Sequence, residues 1–291
     1  MAETVNISEE QIAQYQRDGA VLLRGILTQR ERELLEQGVE ESNAHPGKRS
    51  TRASNAEGRG ETFLESFPSQ GSSPSLKALL ELGRIPEIAA RMMRTPSAQL
   101  ILDQIFYKAA GVVIPTPWHQ DTPYLRVRGD DMIRVWICAD YSPQELTLQI
   151  IRGSHRWGIV FDPRLSASEG NAVRNSGAGR MIQLSGGDHP GPQIPDIARY
   201  PESFDILRWD VEPGDALIFN GNMLHAAGGA DNYPTARRAY TSMWGGPQLR
   251  YISPPDNAIP TLAEVNRIAV PFDSAVGDYP EAFPVGWKSA P

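Results

Sequence analysis

The 291-residue sequence contains a single cysteine, Cys138, which excludes an intrachain disulfide and a thiolate-held zinc cluster. That scarcity fits a reducing compartment, and a cytoplasmic location is the expectation. No apolar run approaches the length of a membrane span, and no basic segment followed by an apolar one opens the chain. Neither a membrane partner nor a signal peptide is therefore expected. Positive charge is in deficit: 28 Lys and Arg stand against 35 Asp and Glu, for a net charge of −7. Non-specific nucleic-acid binding rests on many phosphate contacts, so nucleic acid is a poor match as a partner. There is also no internal repeat and no linker that divides the chain.

What is present is ordinary for a soluble globular chain, with 40% hydrophobic and 22% charged residues. Glycine and proline are plentiful, 26 and 24, and favour many turns over a helical bundle. Ser8-Glu9-Glu10-Gln11 reads as a capping box that opens a helix ending near Gly19. Ala20 to Arg24 reads as a strand. Thr28-Gln29-Arg30-Glu31 is a second capping box, opening a helix to about Ser42 with Leu34, Leu35 and Val39 as its apolar stripe. From Asn43 to Ser75 the composition turns polar, and a long loop is expected, anchored by Phe63, Leu64 and Phe67. Helical patterns return at Leu76–Leu82 and Pro86–Met93, with Pro86 in a first turn.

Strand patterns then dominate. Leu100–Lys108 puts Leu102, Gln104, Phe106 and Lys108 on one face. Met132–Asp140 puts Arg134, Trp136 and Cys138 on one face. Leu146–Ile151, Ala216–Phe219 and Arg237–Trp244 follow, with an irregular insertion over 159–205. The proline-rich tail from Gln248 is expected to wrap the surface. Short strands separated by turn signals suggest a barrel or sandwich.

Within Trp118-His119-Gln120-Asp121, the pair His119 and Asp121 brings an imidazole and a carboxylate to one face if the segment is extended. His225, in Asn222-Met223-Leu224-His225, offers a third ligand. Two histidines and one carboxylate on one face of an octahedral metal form the ligand set of non-haem Fe(II) oxygenases. His155 is read as structural, and His45 and His189 as surface residues. Arg126, Arg128 and Arg134 are read as a solvated basic face, with the alternative that one of them meets an acidic substrate.

Five motifs in order extend this pattern: Asp18-Gly19-Ala20-Val21-Leu22-Leu23, the strand Asp103 to Lys108, Trp118-His119-Gln120-Asp121 with Tyr124, Gly153-Ser154-His155-Arg156-Trp157-Gly158, and Gly214-Asp215-Ala216-Leu217-Ile218-Phe219. Arg237-Arg238-Ala239-Tyr240 closes the series. In these the chain resembles the phytanoyl-CoA dioxygenase family of Fe(II)/2-oxoglutarate oxygenases, from about Ile7 to Trp244. The resemblance implies a mainly β fold with flanking α-helices, a double-stranded β-helix or cupin-like jelly roll. It implies one domain over 1–291, with 1–98 as helical and strand support, 99–247 as the jelly-roll core and 248–291 as a tail. It implies His119, Asp121 and His225 as metal ligands. Arg237 is implied for the distal carboxylate of 2-oxoglutarate, with Arg238 as the alternative, since a one-residue slip reverses the face. Lys108, Gln104 and Trp136 fall where the family lines its co-substrate pocket.

Two departures accompany the likeness. Arg152 stands where a proline usually precedes Gly-Ser-His, which bears on the substrate side of the pocket. The spacing from His225 to Arg237 is one residue longer than the commonest pattern. The implied activity is oxidation, by hydroxylation first of all, of an unactivated C–H bond in a small organic substrate, with Fe(II) as cofactor and 2-oxoglutarate and O2 as co-substrates. Asp121 argues against halogenation, and the lack of a strongly basic surface argues against a CoA thioester. A non-catalytic cupin-like binding protein, or a metal-dependent isomerase or lyase on the same barrel, are the other readings. A monomer or homodimer is expected.

Overall fold

The computed structural model describes residues 5–55, 57–162, 191–253 and 259–290. Helix α1 (Glu9–Asp18) forms where its capping box places it: Gln11 N donates to Ser8 Oγ at 3.2 Å, and Ser8 N to Gln11 Oε1 at 2.9 Å. Gly19 ends the helix at φ +80°, and a Cβ there would stand 2.4 Å from His155 Nδ1. Conformation and space both require glycine at this position. Strand β1 (Ala20–Leu23) leads to α2 (Gln29–Ala44), whose capping box places Glu31 in the core against Arg84 at 3.2 Å.

The stretch from Asn43 to Ser75 is not the loop its composition suggests. It forms β2 (Ser50–Ala53) and β3 (Thr62–Ser66) before α3 (Pro74–Glu81) and α4 (Arg84–Met93). Its polar residues are consumed internally. The buried Glu65 carboxylate accepts from Ser42 Oγ and Ser72 Oγ, each at 2.6 Å, and from Gly47 N at 3.0 Å. Phe63 and Phe67 are buried in the core rather than pinned to its rim.

The remaining strands are β4 (Ser97–Lys108), β5 (Gly111–Val113), β6 (Thr116–His119), β7 (Val127–Arg128), β8 (Met132–Cys138), β9 (Leu148–Ile151), β10 (Ile206–Leu207), β11 (Ala216–Asn220), β12 (His225–Ala227), β13 (Ala230–Tyr233), β14 (Arg237–Gly245), β15 (Arg250–Tyr251), β16 (Ser274–Ala275) and β17 (Val285–Lys288), with a short helix α5 (Leu262–Val265) before β16. Of the 159–205 insertion, residues 163–190, with His189 and Gly186-Gly187, lie outside the described residues.

The major sheet runs β1-β11-β8-β14-β4-β3-β2, and β17 also pairs with β4. The minor sheet runs β10-β9-β12-β6. Two small sheets, β13-β5 and β16-β15-β7, complete the strand pairing, all of it antiparallel. This is the double-stranded β-helix, with α4 against β4, β8 and β17, and α2 against β14. The tail does more than wrap the surface. Phe283, Ala282 and Leu262 are core residues, and β17 completes the edge of β4 where β3 stops.

Registry across the major sheet arranges its inner face in rows. Arg237 sits opposite Lys108 at one end. Next come Cys138, Ala239 and Phe106, then Trp136, Thr241 and Gln104, then Phe219 opposite Arg134. The inner wall therefore reads cation, apolar middle, cation along the strands.

Candidate metal centre

The minor sheet supplies both histidines. His119 ends β6 and His225 opens β12, and the two are directly paired, with ring centroids 4.2 Å apart. Asp121 does not arrive by simple extension of β6. It lies at φ −77°, ψ −31°, at the head of a single 3-10 turn, Thr122–Tyr124. That turn is held by Thr122 Oγ1 on Asn222 Oδ1 at 2.7 Å. The intervening Gln120 turns away and bonds Ile159 O, Asn222 O and Phe161 N. The H-x-D pair thus converges through a strand end plus a turn. One potential ligand atom from each of His119, Asp121 and His225 lies within 4.8 Å of the other two. Among the described residues no other group of three His, Cys, Asp or Glu does so.

The ring orientations are set by carbonyls. His119 Nδ1 is 2.8 Å from Pro117 O, and His225 Nδ1 is 3.1 Å from Met223 O. A neutral imidazole that donates from Nδ1 keeps a lone pair on Nε2. Burial holds both imidazoles below their usual range, His225 at about 3. Burial pushes the Asp121 carboxyl upward, but Arg134 and then the two histidines overcome this and hold it at about 2. At neutral pH the cluster offers two neutral nitrogens and one carboxylate, the protonation state a divalent metal requires.

The Gly-Ser-His motif explains the placement of His225. Gly153 N donates to Asp18 O, which docks the motif on the end of α1, and His155 packs on Gly19. Ser154 Oγ accepts Leu224 N at 2.9 Å, and Ile151 N donates to Leu224 O at 3.0 Å. The backbone entering His225 is thereby fixed from both sides, and His155 itself stands outside the three-residue cluster. His45 is exposed at the end of α2.

A cleft opens over the cluster between the two sheets, lined by Gln104, Trp136 and Arg237 among others. Arg237 is 4% exposed, with Nη1 on Leu146 O and Nε without a hydrogen-bond partner among the described residues. Arg238 points the other way, into Asp140, Glu36 and Glu40. Lys108 is buried beside Arg237 but is not a lining residue. Its ammonium donates to Ile114 O, and burial, then Arg237, pushes it well below its usual range. Arg152 bridges Asp18 and Asp205 and is not among the described residues that line the cleft.

Several lining residues escape the sequence reading. Leu64 and Ile259 come from segments expected to be loop and surface tail. Arg134 is the clearest case. It is only 4% exposed, it lines the cleft, and its Nε lies 2.8 Å from Asp121 Oδ2. The signal was available, since Arg134 shares a strand face with Trp136. Arg128 is exposed and Arg126 half-buried beside Glu264, so the three arginines do not form one solvated patch.

Comparison with known proteins follows this geometry. The family model described as Phytanoyl-CoA dioxygenase (PhyH) matches residues 15–238. The chain belongs to the phytanoyl-CoA dioxygenase family. No curated protein matches the sequence. Among solved structures, this family member is similar to the non-haem α-ketoglutarate-dependent carbocyclase SnoK from nogalamycin biosynthesis, at 18% identity and a TM-score of 0.68 over 96% of each chain. It is also similar to EctD from S. alaskensis in its apo form, at 17% identity and a TM-score of 0.64 over 89% of this chain and 84% of that one. EvdO2 from Micromonospora carbonacea var. aurantiaca, complexed with 2-oxoglutarate, matches at 18% identity and a TM-score of 0.60 over 88% and 98%. At these identities the shared feature is the fold. Among the described residues no helix is long and apolar enough to cross a membrane.

Proposed function

We propose that this family member is a non-haem Fe(II)- and 2-oxoglutarate-dependent oxygenase that hydroxylates an unactivated C–H bond of a small organic substrate. The observation that carries the reading is the pairing of two features in one cleft. One is a cluster of two imidazoles and a carboxylate with its Nδ1 atoms already committed to carbonyls. The other is a buried guanidinium whose Nε has no hydrogen-bond partner among the described residues, at the end of the cleft away from the cluster. Buried polar atoms are ordinarily hydrogen-bonded, so the Nε fits a polar ligand group that ends at Arg237, and Thr241 Oγ1, also unpartnered among the described residues, lies between that end and the cluster.

In this reading His119, Asp121 and His225 hold Fe(II). Arg237 pairs with the distal carboxylate of 2-oxoglutarate, for which a planar guanidinium is suited. Lys108 keeps β4 joined to the segment before β6 through its bond to Ile114 O, behind Arg237. Gln104 and Trp136 form the wall between the two ends. When bound, the iron and 2-oxoglutarate supply the oxidising chemistry, with O2 consumed and succinate and CO2 released. The chain orients both and shields the site from water. An isomerase or lyase that uses no 2-oxoglutarate would not need a guanidinium to hold a distal carboxylate.

The test is succinate formed from 2-oxoglutarate by protein loaded anaerobically with Fe(II) and then given O2. Succinate that requires Fe(II) and O2, and disappears in His225→Ala, is the expected result. Arg237→Leu is expected to raise the KM for 2-oxoglutarate by about tenfold or more, as loss of a charge-assisted bond does. A protein that binds neither Fe(II) nor 2-oxoglutarate would overturn the reading in favour of a cupin-like binding protein.

A further inference from the structure

Arg134 has no part in the roles assigned above, yet it is the charged side chain nearest the carboxylate of the cluster. We propose that Arg134 is a positioning residue that holds the outer oxygen of Asp121, so that one carboxylate oxygen alone is presented to the metal. The proposal rests on the metal reading of the cluster.

The two oxygens of Asp121 have different neighbours. Oδ2 accepts from Arg134 Nε at 2.8 Å. Oδ1 lies 3.8 Å from His119 Nε2, on the side of the histidines. Arg134 is itself braced, since Nη1 donates to Gln104 Oε1 at 3.0 Å, and Gln104 Nε2 donates to Ser66 Oγ at 3.1 Å. This buried chain runs from Asp121 across β8 and β4 to β3, on the framework of the major sheet. The metal ligands themselves come from the minor sheet and the turn after β6, so the brace ties the carboxylate to the opposite wall.

The consequence lies in the count of coordination positions. Two nitrogens and one oxygen leave three positions of an octahedron open. A carboxylate that turned to bind through both oxygens would leave two, too few for a chelating co-substrate and O2 together. Arg134 also places a positive charge beside a dication, which does not favour metal binding as such. Its contribution is therefore to carboxylate geometry rather than to metal affinity. Second partners of this kind commonly set the orientation of the ligating group.

The experiment loads wild type, Arg134→Met, Arg134→Lys, Gln104→Leu and His225→Ala with Co(II) and records the visible absorption before any 2-oxoglutarate is added. 2-Oxoglutarate is then titrated in. The expected result for Arg134→Met is an altered Co(II) spectrum and a 2-oxoglutarate dissociation constant raised about tenfold or more, in protein that still binds Co(II). Arg134→Lys, which keeps a charged donor, is expected to recover most of the wild-type spectrum. A spectrum of Arg134→Met that superimposes on wild type, in protein with unchanged circular dichroism, would overturn the proposal. Should Arg134→Met not fold, Gln104→Leu decides. It leaves the ion pair but removes the brace, and an unchanged spectrum before co-substrate addition overturns the proposal. Wild type that fails to bind Co(II), or His225→Ala that binds it equally well, sinks the metal reading itself and the proposal with it.

Discussion

Asp103 sits one residue before Gln104 in β4 and faces the opposite way, toward the helices. Its Oδ2 accepts from Ser69 N at 3.1 Å and from Tyr240 Oη at 3.0 Å, with Glu65 nearby. Burial pushes this carboxyl up to about 6, against the hydrogen bonds that oppose the shift. The folded chain therefore holds the proton more tightly than the unfolded chain, whose Asp titrates at about 3.9. The contribution to stability is fully present below about pH 4 and is lost as pH rises through about 6, with an upper bound of about 3 kcal/mol. Asp103→Asn keeps an acceptor oxygen for both donors and never ionises. Denaturation at pH 5 and pH 8 is expected to find this variant gaining on wild type at the higher pH, and an equal difference at both would refute the account. At this scale the sequence was readable where a motif carried the residue. Motifs mark His119, Asp121, His225 and Arg237, and all four reach one cleft. Arg134 is less legible, because a charge in an apolar strand looks solvated unless its partner, thirteen residues earlier in sequence, is known to fold against it.

Strand β12 shows how an element can be short and still fix a site. Its three residues pair with β6 on one side and β9 on the other. Its entry is fixed by Ser154, and its exit by Gly228, where a Cβ would meet Glu145 O at 1.6 Å. Ser154→Ala leaves Leu224 N buried without an acceptor and is expected to cost about 1–3 kcal/mol. Metal affinity should fall with it, read by Co(II) titration alongside urea denaturation. Gly228→Ala has no room to relax except by moving Glu145 and Leu146, and Leu146 O holds Arg237. A lower Tm and a weaker hold on 2-oxoglutarate are expected together from calorimetry and titration, so a Tm loss alone would separate the two. Element by element, helix starts and central strands were legible because capping boxes and alternation are local signals. Strands β2 and β3 were not, since their polar residues answer to one buried carboxylate rather than to a periodic pattern. Nor was β17, whose only warrant is the vacant stretch of edge on β4 beyond the reach of β3.

Across the whole molecule, the metal cluster and the guanidinium end of the cleft belong to different sheets. On the proposed reading, a metal with its dicarboxylate would bridge the minor and major sheets, and its binding free energy would add to folding stability. Saturation at about a hundred times the dissociation constant contributes about 2.7 kcal/mol. Co(II) with 2-oxoglutarate is expected to raise the melting temperature by several degrees more than either alone, and the increment should vanish in His225→Ala. The sheet order has a further consequence, in time rather than in space. β4 receives β14 and β17 as neighbours, and β1 receives β11, each from about 130 to 200 residues further along. At synthesis rates of about 5–20 residues per second, β4 leaves the ribosome roughly ten to forty seconds before β17. Through that interval the stretch of β4 beyond the reach of β3 lacks the strand that covers it, and the half-made chain carries an open edge on which its own copies can pair.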